Sequence, residues 1–316
     1  MMEAVSQLLD HLHREMGKVI VGQVEFRNQC IMALLSRGHA LLEGVPGVAK
    51  TLVVKTLSRL LQLKFQRVQC TSDLMPADII GTNILNMATG TFRLHEGPVF
   101  ADLLLVDEIN RMPPKTQAGL LECMEELQVT IDGQRHELSP SFTVFATQNP
   151  VEFEGTYPLP EAQLDRFLMK IRVGYPEASE EVELLERVQT GFDARCLDCS
   201  GIEPIGTDML TQAQTETRNI QVEQALFTYI VQIIRRTRDW PTLSLGASPR
   251  AAVSLMSVAK AAAAMDARDY LIPDDIKAVA QPVLRHRLVL QPEADLEGIT
   301  TDMVVREILN SVEVPK

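Results

Sequence analysis

Apolar and polar positions follow two rhythms along this chain. Residues 39–42, 65–70, 103–106, 142–147 and 167–173 are short apolar or β-rich runs, and segments such as 24–36 and 52–61 between them carry helical spacing. The run 103–106 has no polar alternation, which fits a strand buried on both faces of a parallel sheet. Five such runs alternating with helices predict an α/β core, a parallel five-stranded sheet sandwiched by helices. Two passages break the rhythm. Residues 82–94 alternate around Ala88-Thr89-Gly90-Thr91, and residues 129–138 fold around Asp132-Gly133, so each predicts an inserted β-hairpin. Beyond Gly174-Tyr175-Pro176 no strand pattern recurs. Segments 180–188, 209–217, 222–236, 249–265, 273–286 and 301–309 read as helices, several of them opened by Asp, Ser or Pro. The expected organisation is a core domain over residues 1–176 and an all-helical domain over residues 177–316.

Composition agrees with two buried cores: 316 residues, 46% of them apolar. No apolar run approaches the ~20 residues that span a bilayer, and the amino terminus, with Glu3 and Asp10, lacks a signal-peptide pattern. A cytoplasmic protein without membrane insertion is expected. Five scattered cysteines fit that compartment, with Cys30, Cys70 and Cys123 in apolar contexts suited to free thiols. Cys196-Leu197-Asp198-Cys199 is a lone CxxC, with no histidine or second pair nearby to complete a zinc site. A net charge of −12 makes nucleic acid an improbable partner, because duplex affinity comes largely from neutralising phosphates.

Candidate chemistry begins at Gly44, Val45, Pro46, Gly47, Val48, Ala49, Lys50 and Thr51, between a predicted strand and a predicted helix that opens at Leu52. That order suits a phosphate-binding loop. Glycines let successive N–H groups converge on one anion at the helix's positive end, Lys50 reaches the β and γ phosphates, and Thr51 offers a hydroxyl to magnesium. Ala49 departs from the generic pattern, which has a second loop glycine before the lysine. The plainer reading is a glycine turn between two core elements. The run 103–106 ends in Asp107-Glu108, at the carboxyl end of a parallel strand where such sheets bind ligands. An acidic pair there is commonly a solvated turn, but downstream of a phosphate loop it reads as metal anchor (Asp107) and water-activating base (Glu108). Asn149, closing the run 142–147 after Gln148, is either a turn former or a hydrogen-bond partner for the same water.

In this order the stretches VIVGQ (19–23), GVPGVAKT (44–51), QCTSDLMPADI (69–79), GPVFADLLLVDEINR (97–111), ATQNP (146–150), EAQLDRF (161–167) and ASPR (247–250) resemble the AAA+ ATPases, and closely the MoxR family. The resemblance implies a P-loop ATPase with ATP and Mg²⁺ as cofactors. It assigns Val19, Ile20, Val21 and Gly22 to the segment covering the adenine, and Asn149 to a first sensor of nucleotide state. Arg166 becomes a finger reaching a neighbouring subunit's γ-phosphate, and Arg250 a second sensor acting within its own subunit or across the interface. Without the resemblance, Arg166 is a surface arginine beside Asp165, and Ser248-Pro249-Arg250 an ordinary helix start. It further implies a hexameric homo-oligomeric ring, inserted hairpins turned toward its pore, and a helical lid carrying Arg250 over the nucleotide. Read alone, the hairpins only cover sheet edges. The implied function is a molecular chaperone that remodels or matures client proteins, with a von Willebrand factor A domain partner. A metal-chelatase subunit, a DNA-dependent motor and a nucleotide-gated scaffold are the alternatives. Charge opposes the DNA motor, as does the balanced hairpin with Asp132, Arg135 and Glu137, and the base Glu108 opposes a pure scaffold.

Overall fold

In a computed structural model, which describes residues 2–88, 90–150, 155–194 and 196–315, the chain opens with two helices, α1 (Glu3–Val19) and α2 (Val24–Leu35). There follow β1 (Ala40–Glu43), α3 (Lys50–Leu60), β2 (Phe65–Gln69), α4 (Pro76–Ile80), the hairpin β3 (Gly81–Asn86) and β4 (Thr91–Glu96), and β5 (Leu103–Asp107). Next come α5 (Pro114–Glu126), the hairpin β6 (Gln128–Ile131) and β7 (Gln134–Glu137), β8 (Thr143–Gln148), α6 (Glu161–Leu164) and β9 (Met169–Arg172). The remainder is helical: α7 (Ala178–Gln189), α8 (Thr207–Arg218), α9 (Gln224–Arg238), α10 (Pro249–Met265), α11 (Pro273–Leu284), α12 (Pro292–Leu296) and α13 (Thr301–Ser311). One short antiparallel pair interrupts it, β10 (Leu243–Leu245) with β11 (Val289–Leu290). Proline opens α4, α5, α10, α11 and α12, where its missing N–H has no intrahelical partner to lose.

The five expected strands form one parallel sheet in the order β2-β5-β8-β1-β9. Every residue of β5 is buried, as its unbroken apolar run requires. Alternate side chains enter opposite cores. Leu103 and Leu105 join the cluster containing α1, α2, α3 and much of the helical part, whereas Leu104 and Val106 join the one built with α5. Both hairpins are present. Asp132 and Gly133 each have positive φ, the conformation of a two-residue turn matched to strand twist, while Thr89 in the other turn lies outside the described residues.

Three elements go beyond expectation. β10 and β11 add a short antiparallel pair to the otherwise helical second half; at three and two residues they are too short to show alternation. α1 was not anticipated, although Val5, Leu8, Leu12, Met16 and Val19 form one buried stripe on it. It packs on α3 in the core and on α8 and α10 in the helical part. Glu15 strengthens that junction. Burial alone would raise its pKa, but Lys18 (2.7 Å), the Glu203 N–H (2.9 Å) and Arg14 (3.0 Å) hold it at about 2.

Candidate active site

β1 ends at Glu43, and α3 starts at Lys50, so the phosphate-loop candidate leaves the carboxyl end of the sheet and turns directly into a helix N-terminus. Its glycines serve different needs. A Cβ on Gly44 would lie 2.4 Å from the Val173 carbonyl oxygen, so that position demands close backbone approach; Gly47 instead has φ +88° with open space around it. Ala49 adopts φ 58°, the left-handed geometry that the usual glycine takes without penalty. Lys50 Nζ folds back and donates to the carbonyls of Gly44 and Val45, the latter at 3.2 Å. Partial burial lowers the Lys50 pKa, against an opposing pull from Asp107, Glu108 and Glu43.

Opposite the loop, Asp107 closes β5 and is buried. Its Oδ1 accepts from Thr147 Oγ1 at 3.3 Å, and Thr147 Oγ1 in turn accepts the Glu108 N–H at 2.9 Å. Its Oδ2 accepts from Arg67 Nε at 2.6 Å. Glu108 has φ 59°, rare for a residue with a side chain and a strain of order 1 kcal/mol that clusters at functional sites. Its Oε2 accepts from Gln69 Nε2 at 3.0 Å and faces Arg111 Nε at 3.2 Å. Arg67 and Gln69 are two apart on β2 and therefore share one face beside β5.

Loop and carboxylates line one cavity of about 510 Å³, within the range of small-molecule sites. Val19, Ile20, Val21, Pro46, Gly47, Val48, Ala49, Lys50, Thr51, Leu52, Asp107, Glu108 and Asn149 all line it. Gly22, Gly44 and Val45 do not, though a Cβ on Gly22 would meet the carboxylate of Glu180, which does. Arg67, Gln69 and Thr147 line it without having been expected there. Gln69 begins the stretch 69–79 and Thr147 lies within 146–150, so both stand in family-like stretches, whereas Arg67 carries no signal of its own.

Arg166 and Arg250 do not line the cavity. They meet elsewhere, on Glu125 near the end of α5: Arg166 Nε faces Glu125 Oε2 at 3.1 Å, and Arg250 Nη2 donates to Oε1. Hydrogen bonding from Arg250 and the charge of both arginines hold the Glu125 carboxyl below its usual range. Of the two placements left open for Arg250, within its own subunit or across the interface, this chain shows the arginine away from its own cavity. α7, through Glu180 and Leu184, supplies a wall of that cavity, because α10 packs on α2, α8 and α11 with its first turn against α5.

Among the described residues, no three His, Cys, Asp or Glu side chains group to hold a metal ion unaided. The Thr51 hydroxyl and Asp107 carboxylate still suit magnesium, which takes one or two protein oxygens and completes its shell from phosphate and water. Arg67 standing on Asp107 shows that this carboxylate takes a cationic partner. Cys196 and Cys199 are joined as a disulfide, whereas Cys30, Cys70 and Cys123 are buried free thiols.

A family model described as ATPase family associated with various cellular activities (AAA) matches residues 39–169, and one described as AAA lid domain matches residues 235–308. Chaperone MoxR1 of Mycobacterium tuberculosis is 43% identical over 96% of this chain and 81% of its own length. This chain belongs to the MoxR family of AAA+ ATPases. Two further similar proteins are YeaC of Bacillus subtilis, an uncharacterized protein 45% identical over 99% of this chain and 97% of its own, and Protein MoxR of Methylorubrum extorquens, 32% identical over 96% and 94%. A crystal structure from Cytophaga hutchinsonii, of a candidate ATPase, superposes with a TM-score of 0.89 at 41% identity, covering 100% of this chain and 96% of that one. The MoxR resemblance carried by the motifs thus holds along the whole chain, and so does the predicted fold class.

Proposed function

We propose that this MoxR-family chain hydrolyses ATP with magnesium at a site shared between two copies in a hexameric ring. The motion that results remodels or matures client proteins, with a von Willebrand factor A domain protein as partner. One observation carries the reading: Lys50, Thr51, Asp107, Glu108 and Asn149 converge on a single cavity, while Arg166 and Arg250 sit together outside it. A site with its anion cradle, metal anchor and base but without those arginines is half of an active site.

In this mechanism the loop N–H groups and the α3 N-terminus cradle the phosphates. Lys50 exchanges the Gly44 and Val45 carbonyls for phosphate oxygens. Thr51 and Asp107 hold the magnesium, which when bound neutralises charge on the phosphates. Glu108 takes the proton of the attacking water once its contacts with Gln69 and Arg111 give way, and Asn149 orients that water. Arg166 and Arg250 of the neighbouring copy stabilise charge on the departing phosphates, a contribution of about 10³ to 10⁵ in rate. Val19, Ile20 and Val21 seat the base.

Residues 1–176 act as the nucleotide-binding unit and residues 177–316 as the helical unit. Similarity to Chaperone MoxR1 of Mycobacterium supports a chaperone rather than a chelatase, and the charge of −12 opposes a DNA motor. No described helix is long and apolar enough to cross a membrane, in keeping with work in the cytoplasm. Glu108→Gln tests the chemistry: turnover falls about 10² to 10⁴ while ATP binding persists, because charge is removed and shape kept. Lys50→Ala weakens nucleotide binding itself. Undiminished turnover in the Glu108 variant sinks the assignment. The same variant held in ATP, used as bait, identifies the client.

A further inference from the structure

Arg166 and Arg250 belong to separate segments, yet a partly buried network centred on the buried Arg287 ties those segments together. Asp165 Oδ2 accepts from Ser248 Oγ at 2.9 Å. Ser248 occupies the N-cap position of α10, but its hydroxyl makes no cap bond to its own helix and is given to Asp165 instead. Asp165 Oδ1 faces Arg287 Nε at 2.8 Å, in an ion pair whose arginine side chain is 2% exposed. The same guanidinium donates to the Phe167 carbonyl at 2.7 Å, to Ser254 Oγ on α10 at 3.1 Å and to the Val283 carbonyl at 3.0 Å. Asp165 and Phe167 flank Arg166 in sequence, while Ser248 and Ser254 bracket Arg250 on α10.

A buried ion pair is weak evidence of stabilisation, since well-packed apolar side chains commonly do as well or better. What a guanidinium fork adds is geometry: several acceptors fixed in one plane at set distances. Here those acceptors come from both arginine-bearing segments. We propose that Asp165 and Arg287 form a clamp that fixes the separation of Arg166 and Arg250, so that the pair meets a triphosphate in a neighbouring copy as one unit. The proposal rests on the reading that both arginines serve a neighbour's site. Asp165 and Arg287 touch no substrate and are positioning residues. Glu125, bridging the two guanidinium groups, occupies the resulting anion site in the free subunit.

Mixed assemblies test this. A donor chain carries Lys50→Ala, which disables its own cavity; an acceptor carries Arg166→Ala with Arg250→Ala, leaving its cavity intact. Mixing restores turnover at acceptor cavities if arginines are shared. Arg287→Met on the donor then lowers that restored turnover about 10- to 100-fold, the scale of a displacement of roughly 1 Å. Arg287→Lys on the donor does not rescue it, because an ammonium lacks the fork. Arg287→Met on the acceptor changes turnover less than about two-fold. Full turnover with the altered donor, or equal loss when the change sits on the acceptor, overturns the clamp. Failure of the unaltered donor and acceptor to complement at all instead rejects the shared site, and the clamp with it. Should Arg287→Met not fold, Ser248→Ala removes one tie alone; on the donor it lowers turnover several-fold at unchanged KM, and an unchanged turnover there also overturns the clamp.

Discussion

Arg67→Met isolates the contact that magnesium must displace. Arg67 Nε lies 2.6 Å from Asp107 Oδ2, with the arginine side chain 50% and the aspartate 9% exposed. A fully exposed pair contributes up to about 1 kcal/mol and a charge-assisted bond to a buried group about 1.5 to 3. Half exposure of the arginine discounts the second figure, leaving about 1 to 1.5 kcal/mol, a factor of about 5 to 12. Methionine keeps the apolar stem and removes the competing charge. The assay is magnesium titration of a fluorescent ADP analogue at fixed protein, with affinity in chelator measured separately to capture any loss of phosphate attraction. Half-saturating magnesium should fall about 5- to 12-fold in the variant. An unchanged or higher value would refute the idea that Arg67 competes with magnesium for Asp107.

Two further outcomes follow from local geometry. Ala49→Gly relieves a left-handed alanine costing about 1 kcal/mol, partly offset by about 0.4 to 1 kcal/mol of extra freedom in the unfolded chain; a melting temperature raised by about 1 °C is expected, and a fall contradicts it. His39 is buried with Nδ1 accepting the Val144 N–H and Nε2 donating to the Met124 carbonyl, each at 3.0 Å, and burial pushes its pKa down to about 4. The unfolded histidine therefore binds a proton that the folded one refuses. Stability drops as pH falls from about 6.5 to 4, by up to about 3 kcal/mol; His39→Gln should lose that pH dependence, and denaturation curves giving a constant difference from the parent across this range would exclude it.

The layout of the core was legible because its strands are short apolar or β-rich runs, β5 an unbroken one, and its hairpin turn is marked by Asp132-Gly133. The stripe of α1 was equally legible, whereas the pairing of Leu243–Leu245 with Val289–Leu290 depends on tertiary contact between segments too short to show a pattern. The same division runs through the site. Lys50 and Thr51 announce themselves by opening a helix after a glycine loop, and Asp107 and Glu108 by closing an apolar strand downstream of it. Arg67, Gln69 and Thr147 matter only through the neighbour order β2-β5-β8, which brings three strand ends side by side. The meeting of Arg166 and Arg250 on Glu125 was hidden for a related reason: it joins α5, the segment after α6 and α10.

The division of one cleavage site between two copies is tested most directly by ATP turnover per subunit, measured while the protein is diluted through its dissociation and the assembly state is followed in parallel. Turnover should collapse toward the level of Arg166→Ala as the copies separate, by about 10³ or more. Constant turnover per subunit in the dissociated chain would contradict it.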